Sequence, residues 1–215
     1  MKGQRVRTRN SIAARLSSAG LSPQEDAVRK AILTAFANEG KAPSVPQLAP
    51  ALGLPLAPVL AACRTLAAHD LIVWRDDERH IVSASPFSGV PTAHQVRLTG
   101  RPMLYAMCAI DALGIPFMLS HGVRIRSACF FCHQPVTVEI DGGLLQRADP
   151  STLVVWVSER KGACVAEVCC PLMNFFCDEG HLQAWRATAP QEIGTSLSVT
   201  EAIEAGKAAF GELLT

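Results

Sequence analysis

The chain has 215 residues, a formal charge of +1 and 49% hydrophobic residues, enough to bury a core in one large domain or two small ones. That composition excludes a disordered or fibrous chain. The near-neutral charge argues against a surface that tracks a polyanion throughout.

The first 24 residues carry Lys2, Arg5, Arg7, Arg9 and Arg15 with no acid, and residues 1–22 read as a flexible basic tail. No apolar run or small-residue cleavage site follows those charges, so no secretory signal is expected. Ser22-Pro23-Gln24-Glu25 is a capping box with proline at the first helical position, which predicts a helix from Pro23 to Asn38, with Ala27, Ala31, Ile32, Ala35 and Phe36 on one face. Ser44 caps a second, short helix through Leu52, and Gly53 ends it. A third runs from Pro55 to His69 with Val59, Leu60, Cys63 and Leu66 as its apolar set. Strands at Leu71–Arg75 and His80–Ala84, joined by the charged turn Asp76-Asp77-Glu78, complete a winged-helix-like domain over residues 23–85.

Pro86, Gly89 and Pro91 mark the connection to a second region, an α+β core over residues 86–215. Its signals are mixed. Strands are expected near Gln95–Thr99, Val123–Ser127, Val136–Ile140, Leu153–Val157 and Cys164–Cys169. Helices are expected at Pro102–Leu113, Glu179–Ala187 and Thr200–Leu214. The fold class is therefore α+β: a winged-helix-like three-helix region packed on a core of mostly antiparallel sheet with flanking helices. Prolines 50, 55 and 58 interrupt Leu48–Cys63, and Asp111 and Pro116 interrupt the apolar stretch near Tyr105, so no membrane span is expected. The expected location is the cytoplasm, where the eight cysteines are thiols for packing, metal binding or catalysis rather than a disulfide framework.

Three constellations carry that cysteine chemistry. Cys108 and Asp111, three apart on the predicted helix, would share a face and set a soft nucleophile beside a proton carrier. A single cysteine in an apolar helix is more often a small core residue. An acid amid Ala109, Ile110, Ala112 and Leu113 shifts the balance, because burial penalises its charged form and equips it as a general acid. In the second, Cys169-Cys170-Pro171-Leu172-Met173-Asn174-Phe175-Phe176-Cys177, adjacent cysteines on a strand point to opposite faces, so one of the pair faces any given site. The third, Cys129-Phe130-Phe131-Cys132, has the spacing of a zinc knuckle or redox dithiol. Its only partners in view, Cys169 and Cys170, are adjacent rather than spaced, which disfavours a four-cysteine zinc site, and the phenylalanines and flanking strands instead favour Cys129 as a buried packing residue. The six histidines show no ligand spacing with one another, and none is assigned to a site. Gly142-Gly143 reads as a turn.

Ala106-Met107-Cys108-Ala109-Ile110-Asp111-Ala112-Leu113-Gly114-Ile115-Pro116, together with Cys170-Pro171-Leu172-Met173-Asn174-Phe175-Phe176 and Trp185, resembles the organomercurial (alkylmercury) lyase family. Pro86-Phe87-Ser88, Thr92 and His94 resemble its linker, and the resemblance runs from about Pro23 to Trp185. It implies an enzyme that splits carbon–mercury bonds by protonation, for mercury detoxification. The catalytic residues it implies are Cys108, Asp111 and Cys170, with Cys108 and Cys170 holding the mercury of substrate and product. Cys170 is preferred to Cys169 because it keeps the spacing to the two phenylalanines. Cys129 falls on a family cysteine regarded as structural. Cys132, Cys164, Cys169 and Cys177 are additions that could offer mercury unproductive sites.

The chemistry is sound on physical grounds as well. Mercury is a soft cation that thiolates select over oxygen and nitrogen ligands. Two sulfurs donating to the metal make the bound carbon more basic, and an adjacent acid can then release the hydrocarbon. No cofactor is implied. Small cytosolic thiols would strip the product Hg(II), and the resemblance suggests mercuric reductase as its recipient. The alternative from another class is a winged-helix metal or redox sensor that binds DNA. Against it, the helix at Pro55–His69 offers only Arg64 as a firm cation, whereas DNA readers line up several. Neither a nucleic-acid nor a membrane partner is expected.

Overall fold

Ser22 caps the helix that its sequence predicts: its hydroxyl accepts from the Glu25 amide at 3.3 Å while the Glu25 carboxylate accepts from the Ser22 amide at 2.8 Å. In this computed structural model, which describes residues 12–75, 80–159, 169–211 and 213–214, that box opens helix α2 (Pro23–Glu39), closed by Gly40 at φ 69°. Helices α3 (Val45–Ala51) and α4 (Leu56–Ala68) follow, then the hairpin β1 (Ile72–Arg75) and β2 (His80–Ala84). The Asp76-Asp77-Glu78 turn lies outside the described residues. The expected tail holds a further helix, α1 (Ile12–Ala19), which contacts the last helix of the chain.

The hairpin is the edge of a larger object. Strands β3 (Phe87–Ser88), β4 (His94–Leu98), β5 (Met103–Ala106), β6 (Val123–Ala128), β7 (Pro135–Asp141) and β8 (Leu144–Asp149) join it in one eight-stranded sheet of order β1-β2-β3-β5-β4-β6-β7-β8. Every pairing in it is antiparallel. The sheet passes directly through residues 85–86, since Ala84 pairs with Phe87 and Phe87 with Ala106. The helices share its core: Phe36 of α2 stacks on Phe87 with ring centroids 5.5 Å apart. Gly142 and Gly143 form the β7–β8 turn, both at positive φ, as a two-residue hairpin requires.

A second sheet, β10 (Phe175–Phe176), β9 (Val154–Ser158) and β11 (Gly194–Ser198), is also antiparallel. Helix α6 (Glu179–Thr188) packs on β9 and β10, and α7 (Val199–Phe210) reaches from α5 (Ala109–Leu119) to β9 and β11. The architecture is thus a mixed helix–sheet fold dominated by a large antiparallel sheet. Among the described residues no single helix is long and apolar enough to cross a membrane.

Two local expectations are corrected. The helix expected at Pro102–Leu113 is instead strand β5 followed by α5. Met103–Ala106 lies between β3 and β4 with Leu104 and Ala106 buried, and the extended Cys108 (φ −153°) marks where the helix begins. The strand expected at Cys164–Cys169 falls mostly outside the described residues. Its last residue, Cys169, is helical (φ −98°, ψ −48°) and leads into a 3-10 turn, Cys170–Leu172.

Helices α5 and α7 meet through glycine. A Cβ on Gly114 would run into the Phe210 ring and stand 2.9 Å from the Gly206 carbonyl, and one on Gly206 would stand 2.8 Å from the Gly114 amide nitrogen. Gly114→Ala should therefore lower stability by about 1–3 kcal/mol through overpacking, read as a reduced urea midpoint with unchanged slope. An unchanged midpoint would contradict this close crossing.

Candidate active site and a second thiol cluster

Helix α5 builds the first half of the site. Cys108 is its N-cap, and its sulfur takes the place usually filled by a serine or aspartate oxygen, accepting from the Asp111 amide at 3.4 Å. Asp111 occupies the first turn, one turn along from Cys108 and on the same side. The expected juxtaposition is present, but it comes from a cap and a first turn rather than from two positions inside a helix. The Ala109 amide donates to the Met173 carbonyl at 2.9 Å and ties this helix start to the second half.

That second half is the 3-10 turn. Pro171 sits at its start, the Asn174 side-chain amide donates to the Pro171 carbonyl at 2.7 Å, and the Trp156 amide of β9 donates to the Asn174 carbonyl at 3.0 Å. Pinned in this way, Cys170 approaches Asp111, its Sγ 3.8 Å from the Asp111 Oδ2. The Cys108 and Cys170 sulfurs and an Asp111 oxygen all lie within 4.8 Å of one another, and all three residues are buried. Cys169 is buried in the same small thiol cluster. Cys169 lies on a helical turn rather than the expected strand, and Cys170 is the member of the pair that comes within that ligand distance of both Cys108 and Asp111.

Half-buried Met107, Ile110 and Met173 line the cluster, with the Met173 Sδ 4.0 Å from the Cys108 Sγ. Burial pushes the Cys108 thiol well above its ordinary pKa. The Cys170 hydrogen bond and the Asp111 charge add to that shift, and the Asp111 amide only partly opposes it. Cys108 is thus a neutral thiol at pH 7, and a soft metal ion arriving there must displace a proton. An open depression lined by Arg97, Arg101, Arg124, Glu139 and Asp141 shares no residue with the cluster. Among the described residues every cysteine is a thiol rather than half of a disulfide.

His94 supports the site from β4. It is buried, its Nδ1 lies 2.9 Å from the Ser127 hydroxyl, and its ring packs on Phe175 at 5.8 Å. Burial pushes its pKa down to about 4 against a hydrogen bond with Asn174 that favours the charged form. Between pH 6.5 and 4 the unfolded chain therefore binds a proton that the folded one does not. Stability is fully present above 6.5 and is lost as pH falls through 4, by about 3 kcal/mol at most. Urea midpoints from pH 7 to 4 should show this decline, and His94→Gln should flatten it; an equally steep decline in the variant would assign the effect elsewhere.

The structure assembles a second cluster that the sequence reading did not. Cys129 and Cys132, in the β6–β7 turn, meet Cys177 and His181 at the start of α6, with the four ligand atoms within 4.8 Å of one another. Cys129 is fully buried, as a packing residue would be. Its partners are neither Cys169 nor Cys170.

The fold and the first cluster define a thiol protein in which two sulfurs and one carboxylate converge in a buried cluster bordered by methionines. The model of the alkylmercury lyase family matches residues 87–211, and the chain belongs to that family. It is 29% identical to an alkylmercury lyase of Staphylococcus epidermidis over 79% of this chain and 75% of the relative. It is 26% identical to one of Bacillus cereus over 78% and 74%. The crystal structure of the mercury-bound form of MerB2 shares the fold, with a TM-score of 0.81 at 24% identity over 95% of this chain and 99% of that one.

Proposed function

We propose that the protein cleaves the carbon–mercury bond of alkyl- and arylmercury compounds by protonolysis, with Cys108, Cys170 and Asp111 as the catalytic residues. The observation that carries this reading is the meeting of two buried thiols and a carboxylate within 4.8 Å. An organomercury thiolate, R–Hg–SR′, exchanges its thiolate for one enzyme sulfur, and the displaced R′S takes that thiol's proton. The second sulfur then binds mercury while its proton passes to Asp111. With two sulfurs donating to the metal, the carbon is basic enough to take the proton from Asp111. R–H leaves, Asp111 is a carboxylate again, and Hg(II) remains between two enzyme thiolates. Two small thiols displace it as Hg(SR′)2 and return both enzyme protons. Met107, Ile110 and Met173 give the organic group an apolar, polarizable wall.

No organic cofactor takes part in this scheme. Its partners are the organomercurial, low-molecular-weight thiols and a mercuric reductase that receives the ion, and its place is the cytoplasm in mercury detoxification. Residues 23–85 act as a winged-helix-like packing partner for the core, a reading supported by three helices, a hairpin and the Ser44–His80 bridge. DNA reading is disfavoured: the exposed positions of α4 are Ala57, Ala61, Arg64 and Ala68, and the Arg64 guanidinium sits over the Trp74 ring at 5.8 Å.

The test is headspace detection of hydrocarbon and assay of Hg(II) from an arylmercury compound with excess thiol. Catalytic release of both supports the lyase. Tight mercury binding without release would overturn it, and salt-sensitive binding to duplex DNA would then revive the sensor.

A further inference from the structure

The second cluster lies outside the proposed chemistry, and its geometry is that of a closed metal site. The Cys132 and Cys177 sulfurs are 3.8 Å apart, and the Cys129 sulfur is 3.7 Å from the His181 Nδ1. A tetrahedral zinc ion with its usual Zn–S and Zn–N bonds has S–S edges of about 3.8 Å and S–N edges of about 3.6 Å. We propose that Cys129, Cys132, Cys177 and His181 bind one structural zinc ion in a Cys3His site.

Local structure prepares each half. In the β6–β7 turn the Cys129 amide donates to the Gln134 carbonyl and the His133 amide to the Cys129 carbonyl, each at 2.9 Å, and His133 takes the left-handed conformation (φ 61°) that folds Cys132 back toward Cys129. At the other half, the N-cap Asp178 accepts from the His181 amide at 2.8 Å, which places His181 in the first turn of α6, four residues after Cys177. Three thiolates, a neutral imidazole and Zn²⁺ carry a net charge of −1, and the positive end of α6 faces that charge. The Cys177 amide donates to the Cys129 sulfur at 3.4 Å.

The site would brace the wall that carries Cys170. The Phe130 amide donates to the Phe175 carbonyl of β10 at 2.9 Å, and Phe130 packs edge-on against Trp185 of α6 at 5.7 Å. Zinc there joins the β6–β7 turn, β10 and α6 through four bonds, and its binding energy becomes folding energy. The cluster differs from the first in kind: four ligands close a coordination shell, whereas two thiols and an acid leave room for a reacting carbon.

The experiment uses the full chain produced with zinc and without mercury, with metal content per chain and Co(II) spectra as readouts. One zinc per chain is expected in the natural protein and in the Cys108→Ala/Cys170→Ala double variant, with zinc lost from Cys132→Ser and Cys177→Ser. Co(II) should give tetrahedral d–d bands with thiolate charge transfer. His181→Cys should keep the metal and shift those bands, which separates a lost ligand from a variant that fails to fold. The proposal is overturned if the natural protein takes up neither zinc nor tetrahedral cobalt, or if zinc disappears with Cys108 and Cys170 and persists without Cys177. Failure of lyase turnover would leave the zinc content unaffected, so the two readings are tested separately.

Discussion

Asp111→Asn should bind organomercury as the natural protein does and leave its carbon–mercury bond intact. Asparagine keeps the size of the side chain and its place in the first turn of α5, and the Cys108 cap on the residue 111 amide needs only the backbone. What it cannot do is accept a thiol proton and deliver it to carbon. A positioned acid contributes on the order of 10²–10⁴-fold in rate, and turnover should fall by at least that much. Stoichiometric binding of phenylmercury, followed by mass spectrometry of the intact protein, should persist. Loss of binding together with turnover would mean that the carboxylate acts mainly as a metal ligand. Turnover within a few-fold of normal would remove it from the mechanism.

Cys170→Ala should abolish turnover and Cys169→Ala should largely retain it, although the two residues are adjacent and both buried. The Cys170 sulfur reaches the Asp111 carboxylate at 3.8 Å, and with Cys108 and Asp111 it forms the three-ligand group. Cys169 packs in the same thiol cluster without joining that group. With one sulfur left, mercury is held without the second donor that makes its carbon basic. The comparison is of steady-state hydrocarbon release with excess thiol, alongside thermal melts to establish that both variants fold. The reverse pattern would transfer the role to Cys169. Equal loss in both would indicate that the turn, rather than a particular sulfur, is what the chemistry requires.

The helices of the N-terminal region were legible because their ends are written in local chemistry. The box at Ser22 and the left-handed Gly40 act within a few residues of the bonds they make. Strand β5 was not, because Met103-Leu104-Tyr105-Ala106 is apolar at both the helical and the strand period, and only its neighbours β3 and β4 decide between them. Strand β8 escaped for the opposite reason, being mostly exposed and lacking apolar alternation.

Cys108 and Asp111 were brought together by sequence distance alone, and one wrong helix boundary did not separate them. Cys170 lies 59 residues from Asp111, and only the family resemblance joined it to the pair. At Cys169 the backbone turns helically where the sequence suggests a strand, because the turn is set by Pro171 and by distant partners rather than by local periodicity. For the second cluster a signal was present. Cys177 and His181 are four apart, and with the two-residue spacing of Cys129 and Cys132 they form a ligand pattern that a search confined to cysteine pairs and histidine pairs does not find.

The central claim is that two thiols and Asp111 suffice to convert bound organomercury into a hydrocarbon, with the second thiol's proton reaching carbon through Asp111. The most direct measurement is a single turnover in D2O: equimolar phenylmercury is mixed with the protein, no external thiol is present, and headspace and protein are analysed together. The account predicts one equivalent of monodeuterated benzene per chain with one Hg(II) retained by the protein, and none of the benzene from Asp111→Asn. Intact phenylmercury on the protein with no benzene released would contradict it.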